Sequence, residues 1–326
     1  MQSVMTNLDD VIAVLRSSGR LGGDERLQPL TGGVSALVAV VEGGQLPWIV
    51  KTPLTQLTVS DEWLVGRERG ANEATILELL AGALGPVRTP RLLFFDGAAV
   101  VLGEEYIAPP SLNYKDELMS GRAHPGVARA LGEALGHLHR LSVPTALRGE
   151  GPRTLFDALR LDPYYRTTAH RRADLREDLE TLIAATIDAT ERTLVHGDLS
   201  PKNVLVTPEA PVLLDWEVIH EGDPGFDRGM MGAHFMLKAL YHGVHDAAHE
   251  MVEAAREFWR AYEGPAEVAH SLRHAGGVMV ARLYGKSPVD YLTDEGARER
   301  AQRIGAIALR GRVTTYEDFL ALIEEE

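Results

Sequence analysis

Short apolar runs broken by glycine fill the first hundred residues, and longer stretches with helical periodicity fill the rest. Residues 34–41 and 48–51 predict two strands joined through Gly43 and Gly44. Ala71, Ala74, Ile76, Leu77, Leu79 and Leu80 supply an apolar stripe and predict a helix over about 67–83. Residues 91–95 and 99–106 predict a second strand pair, turned at Asp96 and Gly97. Ahead of these, residues 1–20 alternate polar with apolar side chains and carry Asp9 and Asp10. They read as an amphipathic surface helix rather than a signal peptide.

Pro109 and Pro110 form a stiff break suited to a hinge. Beyond it the spacing predicts helices over 127–141 and 171–190, then over 226–241, 247–262, 268–283, 296–309 and 316–325. The pattern predicts an α+β fold of two lobes. A small mixed lobe with one main helix spans 1–107, and a larger, mostly helical lobe spans 108–326.

Residues 194–217 interrupt the helical zone and concentrate its chemistry. His196-Gly197-Asp198 reads as a loop after a short apolar run, so the Asp198 carboxylate can point into a cleft. Asn203 precedes the run 204–206, and Asp215 ends the run 212–214. A hairpin of these two runs brings both side chains to one end. A carboxylate that aligns an attacking hydroxyl, with an amide and a carboxylate to hold magnesium, is the set that phosphoryl transfer from ATP requires. Mg²⁺ is a hard cation that prefers oxygen ligands and shares them with substrate phosphates. Asp198 is thus the candidate catalytic residue, and Asn203 and Asp215 are the candidate metal ligands. Glu217 is either a support of the site, a substrate contact or a solvated acid.

In His-Gly-Asp-Leu-Ser-Pro-Lys-Asn and the later Leu-Leu-Asp-Trp-Glu, the chain resembles the aminoglycoside phosphotransferase and choline kinase family. That resemblance implies a protein-kinase-like fold, ATP and Mg²⁺ as cofactors, and a small hydroxylated acceptor such as an antibiotic, an amino alcohol or a sugar. It implies that Lys51, closing the strand Trp-Ile-Val-Lys, reaches the nucleotide phosphates and that Glu73 pairs with it. Residues 30–35, with Gly32, Gly33 and Ser35, match the turn that covers the phosphates, and residues Glu105 to Ile107 match the hinge that offers backbone groups to adenine. Asp227, after Gly222-Asp223-Pro224, matches an aspartate that orders the loop, so its role is structural. The segment 50–73, with Trp63, resembles the 5-methylthioribose kinase-like branch. Residues 277–285 are loosely similar to its substrate-side helix, which makes Arg282 a candidate substrate contact. His196 joins Glu217 and Arg282 as a candidate for substrate contact or for support behind the site. Methylthioribose is the alternative acceptor. A nucleotide-binding regulatory protein with little turnover is the alternative of another class.

Composition narrows this further. The 326 residues carry a net charge of −14 and no cysteine, which excludes disulfides, thiolate metal sites and cysteine nucleophiles. The charge argues against nucleic acid as a partner, because that binding depends on clustered Lys and Arg. No apolar run approaches the roughly 18 residues of a membrane span, and a cytoplasmic setting is expected. Nothing in the pattern specifies an oligomeric state. Glu209, Asp215, Glu217, Glu221, Asp223 and Asp227 crowd a stretch without Lys or Arg, so a cationic acceptor is compatible with the sequence. His242, His245 and His249 lack a His-Glu-x-x-His pattern and read as surface histidines rather than a zinc face.

Overall fold

The glycine-punctuated apolar runs form an antiparallel sheet, and the periodic stretches form helices packed around α8, a helix buried along almost its whole length. The structure, a computed structural model, describes residues 7–30, 35–55, 66–243 and 246–323. The chain forms two compact units, Met1–Gly82 with Thr89–Ala108, and Ala83–Arg88 with Pro109–Glu326. Among the described residues no helix is long and apolar enough to cross a membrane.

The first unit begins with α1 (Leu8–Ser17), whose first turn carries Asp9 and Asp10 and whose N-cap Asn7 accepts a hydrogen bond from the Asp10 N–H at 3.0 Å. Such a cap satisfies a backbone donor that the helix leaves open, and acids favour the positive end of the helix dipole. Three strands follow, β1 (Arg26–Pro29), β2 (Ala36–Glu42) and β3 (Trp48–Pro53), and then α2 (Arg69–Leu80). Two-residue strands β4 (Ala83–Leu84) and β5 (Val87–Arg88) pair with the second unit, and β6 (Leu92–Asp96) and β7 (Val101–Glu105) return to the first. The sheet order is β1-β2-β3-β7-β6. Val11 and Leu15 of α1 pack with Ala39, Val41, Val50 and Val101 in one apolar cluster. Strand alternation therefore sends Lys51 to the other face of the sheet. On that face its direct neighbours in register are Val38 and Leu102.

The second unit opens with β8 (Leu112–Asn113), α3 (Tyr114–Met119) and α4 (Pro125–Leu138). A continuous helical run follows, from α5 (Glu150–Phe156) through a π-helical stretch (Asp157–Arg166) to α6 (Thr167–Arg171), and then α7 (Arg176–Ile187). The helix expected over 171–190 is broken at its start because Ala173–Leu175 tighten into a 3₁₀ turn. Four short strands frame the segment that carries Asp198, Asn203 and Asp215: β9 (Thr193–Val195), β10 (Val204–Val206), β11 (Val212–Leu213) and β12 (His220–Gly222). Five helices end the described chain: α8 (Pro224–His242), α9 (Asp246–Ala261), α10 (Val268–Tyr284), α11 (Glu295–Leu309) and α12 (Tyr316–Ala321). A Cβ on Gly229 would lie 2.5 Å from the Ser271 carbonyl, so glycine is what lets α8 and α10 approach. Asp223 caps α8 through Oδ1, which accepts from the Gly225 N–H at 2.9 Å. Its Oδ2 accepts from His270 Nε2 at 2.6 Å and His274 Nε2 at 3.0 Å, tying α10 to the start of α8. His242 sits on α8 and His249 on α9, and His245 lies outside the described residues.

Candidate active site

In the first unit, Lys51 and Glu73 meet. Nζ of Lys51 lies 2.9 Å from Oε1 and 2.8 Å from Oε2 of Glu73, and both residues are buried. A strand lysine and a helix carboxylate held this way fix the ammonium in place, since breaking such a pair strands a buried charge.

In the second unit the segment of Asp198 leaves β9, which is paired with β12 through Val195 and His220. The chain then reverses at Gly197, whose φ of +76° is left-handed and where a Cβ would meet Val218 at 2.8 Å. Asp227, wholly buried in the first turn of α8, holds this turn. Its Oδ2 accepts from the His196 N–H at 2.7 Å and its Oδ1 from the Gly197 N–H at 2.9 Å. His139 Nε2 adds a contact at 3.4 Å. The structural role expected for Asp227 matches this geometry. His196 is equally buried. Its Nδ1 accepts from the Asp198 N–H at 3.1 Å, so the ring proton sits on Nε2 and points to the Leu214 carbonyl at 3.2 Å. Burial lowers the pKa of this imidazole, with Asp227 and Asp198 opposing. A neutral His196 thus bridges the loop of Asp198 to the strand end before Asp215.

The Asp198 carboxylate is buried and anchored on three sides. Asn203 Nδ2 donates to its Oδ2 and to its backbone carbonyl, each at 2.9 Å. Arg160 Nη2 lies 2.9 Å and Lys202 Nζ 3.0 Å from the same Oδ2. Arg160 also donates through Nε to the Gly197 carbonyl at 2.7 Å. Burial by itself would raise the Asp198 pKa, but the Arg160 guanidinium and the Lys202 ammonium outweigh it and hold the carboxyl below its ordinary value. Burial works against the charge of Arg160 as well, and the carboxylates of Asp198, Glu217 and Asp215 together raise its pKa. The ionised form of Asp198 is therefore the one the site stabilises.

β10 and β11 form the hairpin expected from the sequence, with Val204 opposite Leu213, and the Leu214 N–H donates to the Asn203 carbonyl at 2.8 Å. This sets Asp215 beside Asn203. Asp215 has a φ of +65°, a left-handed conformation costing a non-glycine residue about 1–2 kcal/mol. Such strain at a chemically loaded position is a pointer to function. The donor set suits magnesium: Asn203 uses its nitrogen on Asp198, so its amide oxygen is the atom that can ligate, and Asp215 offers a carboxylate. Glu217 is buried, so it is not a solvated acid, and its charge acts on Arg160.

Other expected residues fall differently. Gly32 and Gly33 of the phosphate-covering turn, and Trp63, lie outside the described residues. The Ser35 carbonyl accepts from Arg69 Nη2 at 2.7 Å and from the Leu54 N–H at 2.9 Å, so it anchors the sheet edge. The Glu105 N–H donates to the Arg91 carbonyl at 2.9 Å, so that donor belongs to the sheet. Ile107, just after β7, is half-buried. Arg282 donates through Nη1 to the carbonyl and hydroxyl of Ser287. Three of the six acids of residues 209–227 are answered internally: Glu221 faces Arg148 at 3.9 Å, Asp223 takes two histidines, and Asp227 takes two backbone N–H groups.

The sequence pattern does not mark Arg160, which reaches Asp198 from the π-helical stretch far upstream. No local signal announces it. Lys238 and His234 are also unmarked, although a legible signal exists: two polar residues one turn apart within the otherwise apolar run 230–240.

Known proteins agree with this architecture. The model of the phosphotransferase enzyme family matches residues 26–270. Methylthioribose kinase 2 of Oryza sativa subsp. japonica is 25% identical over 256 residues, 68% of this chain and 59% of that protein. The methylthioribose kinase of Escherichia coli O45:K1 is 25% identical over 59% of this chain and 53% of its own. The chain thus spans less than two thirds of the length of these curated relatives. Among solved structures, a choline/ethanolamine kinase family protein from Mesorhizobium loti superposes with a TM-score of 0.57 at 20% identity, covering 97% of this chain and 98% of its own. A choline kinase from Streptococcus pneumoniae does so with a TM-score of 0.55 at 15% identity, covering 94% and 99%. At these identities the likeness shows the kinase-like α+β fold. With three quarters of its length matched by the family model, the chain belongs to the phosphotransferase enzyme family.

Proposed function

We propose that this protein transfers the γ-phosphate of ATP, with Mg²⁺, to a hydroxyl of a small molecule. The observation that carries the reading is the buried Asp198 carboxylate, kept ionised by Arg160 and Lys202 and bonded to Asn203, beside a hairpin that presents Asp215. In this reading Asp198 accepts a hydrogen bond from the acceptor hydroxyl and aligns it for in-line attack, and Asn203 and Asp215 hold the metal. Magnesium would neutralise charge developing on the phosphates. Lys51, steadied by Glu73, contacts the nucleotide phosphates.

The test is ADP release from ATP and Mg²⁺ over aminoglycosides, other hydroxylated antibiotics, choline, methylthioribose and simple sugars. Asp198→Ala should lower kcat by about 10³-fold or more, near 4 kcal/mol of barrier. Undiminished turnover in that variant would remove the assignment. Nucleotide-dependent stabilisation with no ADP release on any acceptor would favour a regulatory nucleotide-binding protein instead.

Methylthioribose is the second reading, favoured by relatives that carry that name at 25% and 26% identity. Against it, Arg282 stands next to Ala281, where a paired arginine is expected of that branch. Turnover of methylthioribose above all sugars in the panel would establish it.

A further inference from the structure

Helix α8 is apolar on almost every side between Met230 and Leu240, except at His234 and Lys238. Lys238 is 1% exposed, and no carboxylate partners it among the described residues. Its ammonium lies 5.2 Å from the centre of the Tyr291 ring, and the charged groups that act on it are Arg282 and Lys115, both cations. Around it, buried polar atoms lack hydrogen-bond partners: His234 Nδ1, Arg282 Nε and the Tyr291 hydroxyl. Burial, helped by Arg282 and Lys115, pushes the Lys238 pKa down to about 7. His234 is lowered by burial and by the cations Lys238, Arg282, Lys202 and Lys115.

Gathering cations in a desolvated place is unfavourable, and buried charges are otherwise found paired. One negatively charged ligand would answer the ammonium, the guanidinium and the orphaned hydroxyl together. The cluster adjoins the loop of Asp198 by two routes. Lys202, in contact with Asp198, is among the charges that act on His234. The Tyr164 ring has the Arg160 guanidinium on Asp198 and the Arg282 guanidinium each at 5.9 Å from its centre. Lys115 and Arg282 are half-buried and Lys202 is exposed, so the cluster reaches solvent at its edge.

We propose that this cluster binds a carboxylate or phosphate group of the acceptor through Lys238, Arg282 and Tyr291, which makes the substrate an anionic alcohol. The substrate assignment rests on the phosphotransfer reading; the anion site itself does not.

Two measurements separate them. Wild type and Lys238→Met are titrated with inorganic phosphate and with malate at constant ionic strength while the melting temperature is followed. Millimolar anion should raise the wild-type melting temperature by several degrees and leave Lys238→Met unmoved, with Arg282→Gln reduced. The stronger of the two anions identifies the group. Equal shifts in wild type and Lys238→Met, or no shift in either, would overturn the anion site. ADP release is then compared among glucose, gluconate, glucose 6-phosphate and glucosamine. Faster turnover of an anionic sugar, with at least a tenfold rise of its KM in Lys238→Met, supports the proposal. Fastest turnover of glucose or glucosamine, unchanged in that variant, overturns it. ADP release on none of the four, together with a Lys238-dependent anion shift, would speak against phosphotransfer to sugars and leave the anion site standing.

Discussion

Lys51 in the antiparallel sheet and Lys238 in helix α8 are buried to a similar degree, and their surroundings are opposite. Lys51 lies within 2.9 Å of both oxygens of Glu73. Lys238 faces an aromatic ring and two cations. The first arrangement is complete before any ligand arrives, and it fixes the ammonium in one place. The second has no anionic partner among the described residues, and its unfavourable electrostatics are relieved by loss of the ammonium proton or by a ligand of negative charge. Burial of a lysine therefore says little until its partner is known.

Removing each charge should have opposite effects. Lys51→Met removes the buried ammonium that lies against Glu73 and should destabilise the protein by about 3 kcal/mol in urea unfolding. It should also lower kcat/KM for ATP at least a hundredfold, or about 2.7 kcal/mol. Lys238→Met should act in the opposite direction. Replacing an unpaired buried charge with an isosteric apolar chain should stabilise the anion-free protein by about 1–4 kcal/mol. If both variants shift stability in the same direction, the contrast between the two lysines is wrong.

A pH series sharpens the same point. The folded pKa of Lys238 lies below its unfolded value of 10.5, so the unfolded chain holds more protons between about pH 7 and that value. Wild-type stability should rise across this window relative to Lys238→Met, by up to about 1.4 kcal/mol for each pH unit. The advantage of the variant is then greatest near neutrality and fades in alkali. A constant difference between the two unfolding curves from pH 7 to 10 would show that Lys238 is not held uncharged by its surroundings.

Two smaller effects concern the second unit alone. Arg160→Lys keeps a positive charge but loses the planar fork that spans Asp198 and the Gly197 carbonyl. It should lower kcat about tenfold, near 1.4 kcal/mol, while KM for ATP stays constant. An unaltered kcat would reduce Arg160 to a packing role. Asp215→Gly removes a carboxylate and also relieves a left-handed backbone, so turnover should vanish while the melting temperature holds or rises slightly. A large fall in melting temperature would make Asp215 a structural residue instead.

Much of this protein was legible along the chain. The strands β2, β3, β6 and β7 of the first sheet, α2, the helices after residue 224 and the hairpin carrying Asn203 and Asp215 follow from periodicity and turn residues, whereas β1 does not. Asp198, Asn203 and Asp215 stand out as candidates because phosphotransfer needs fixed residue types a few positions apart on one continuous segment. The helical run from Glu150 to Arg171 was not legible, since a π-helical stretch holding Pro163 breaks the ordinary spacing.

By itself, then, the sequence determined the two-part α+β organisation, the hairpin at 204–213 and the phosphotransfer motif, all of which depend on residues close together in the chain. Tertiary structure decided which charges are paired. Arg160 reaches Asp198, and Lys238 has no carboxylate partner among the described residues, because folding brings distant residues together and strips water from them. The energy of a charge depends on what has replaced that water, and no local pattern records it.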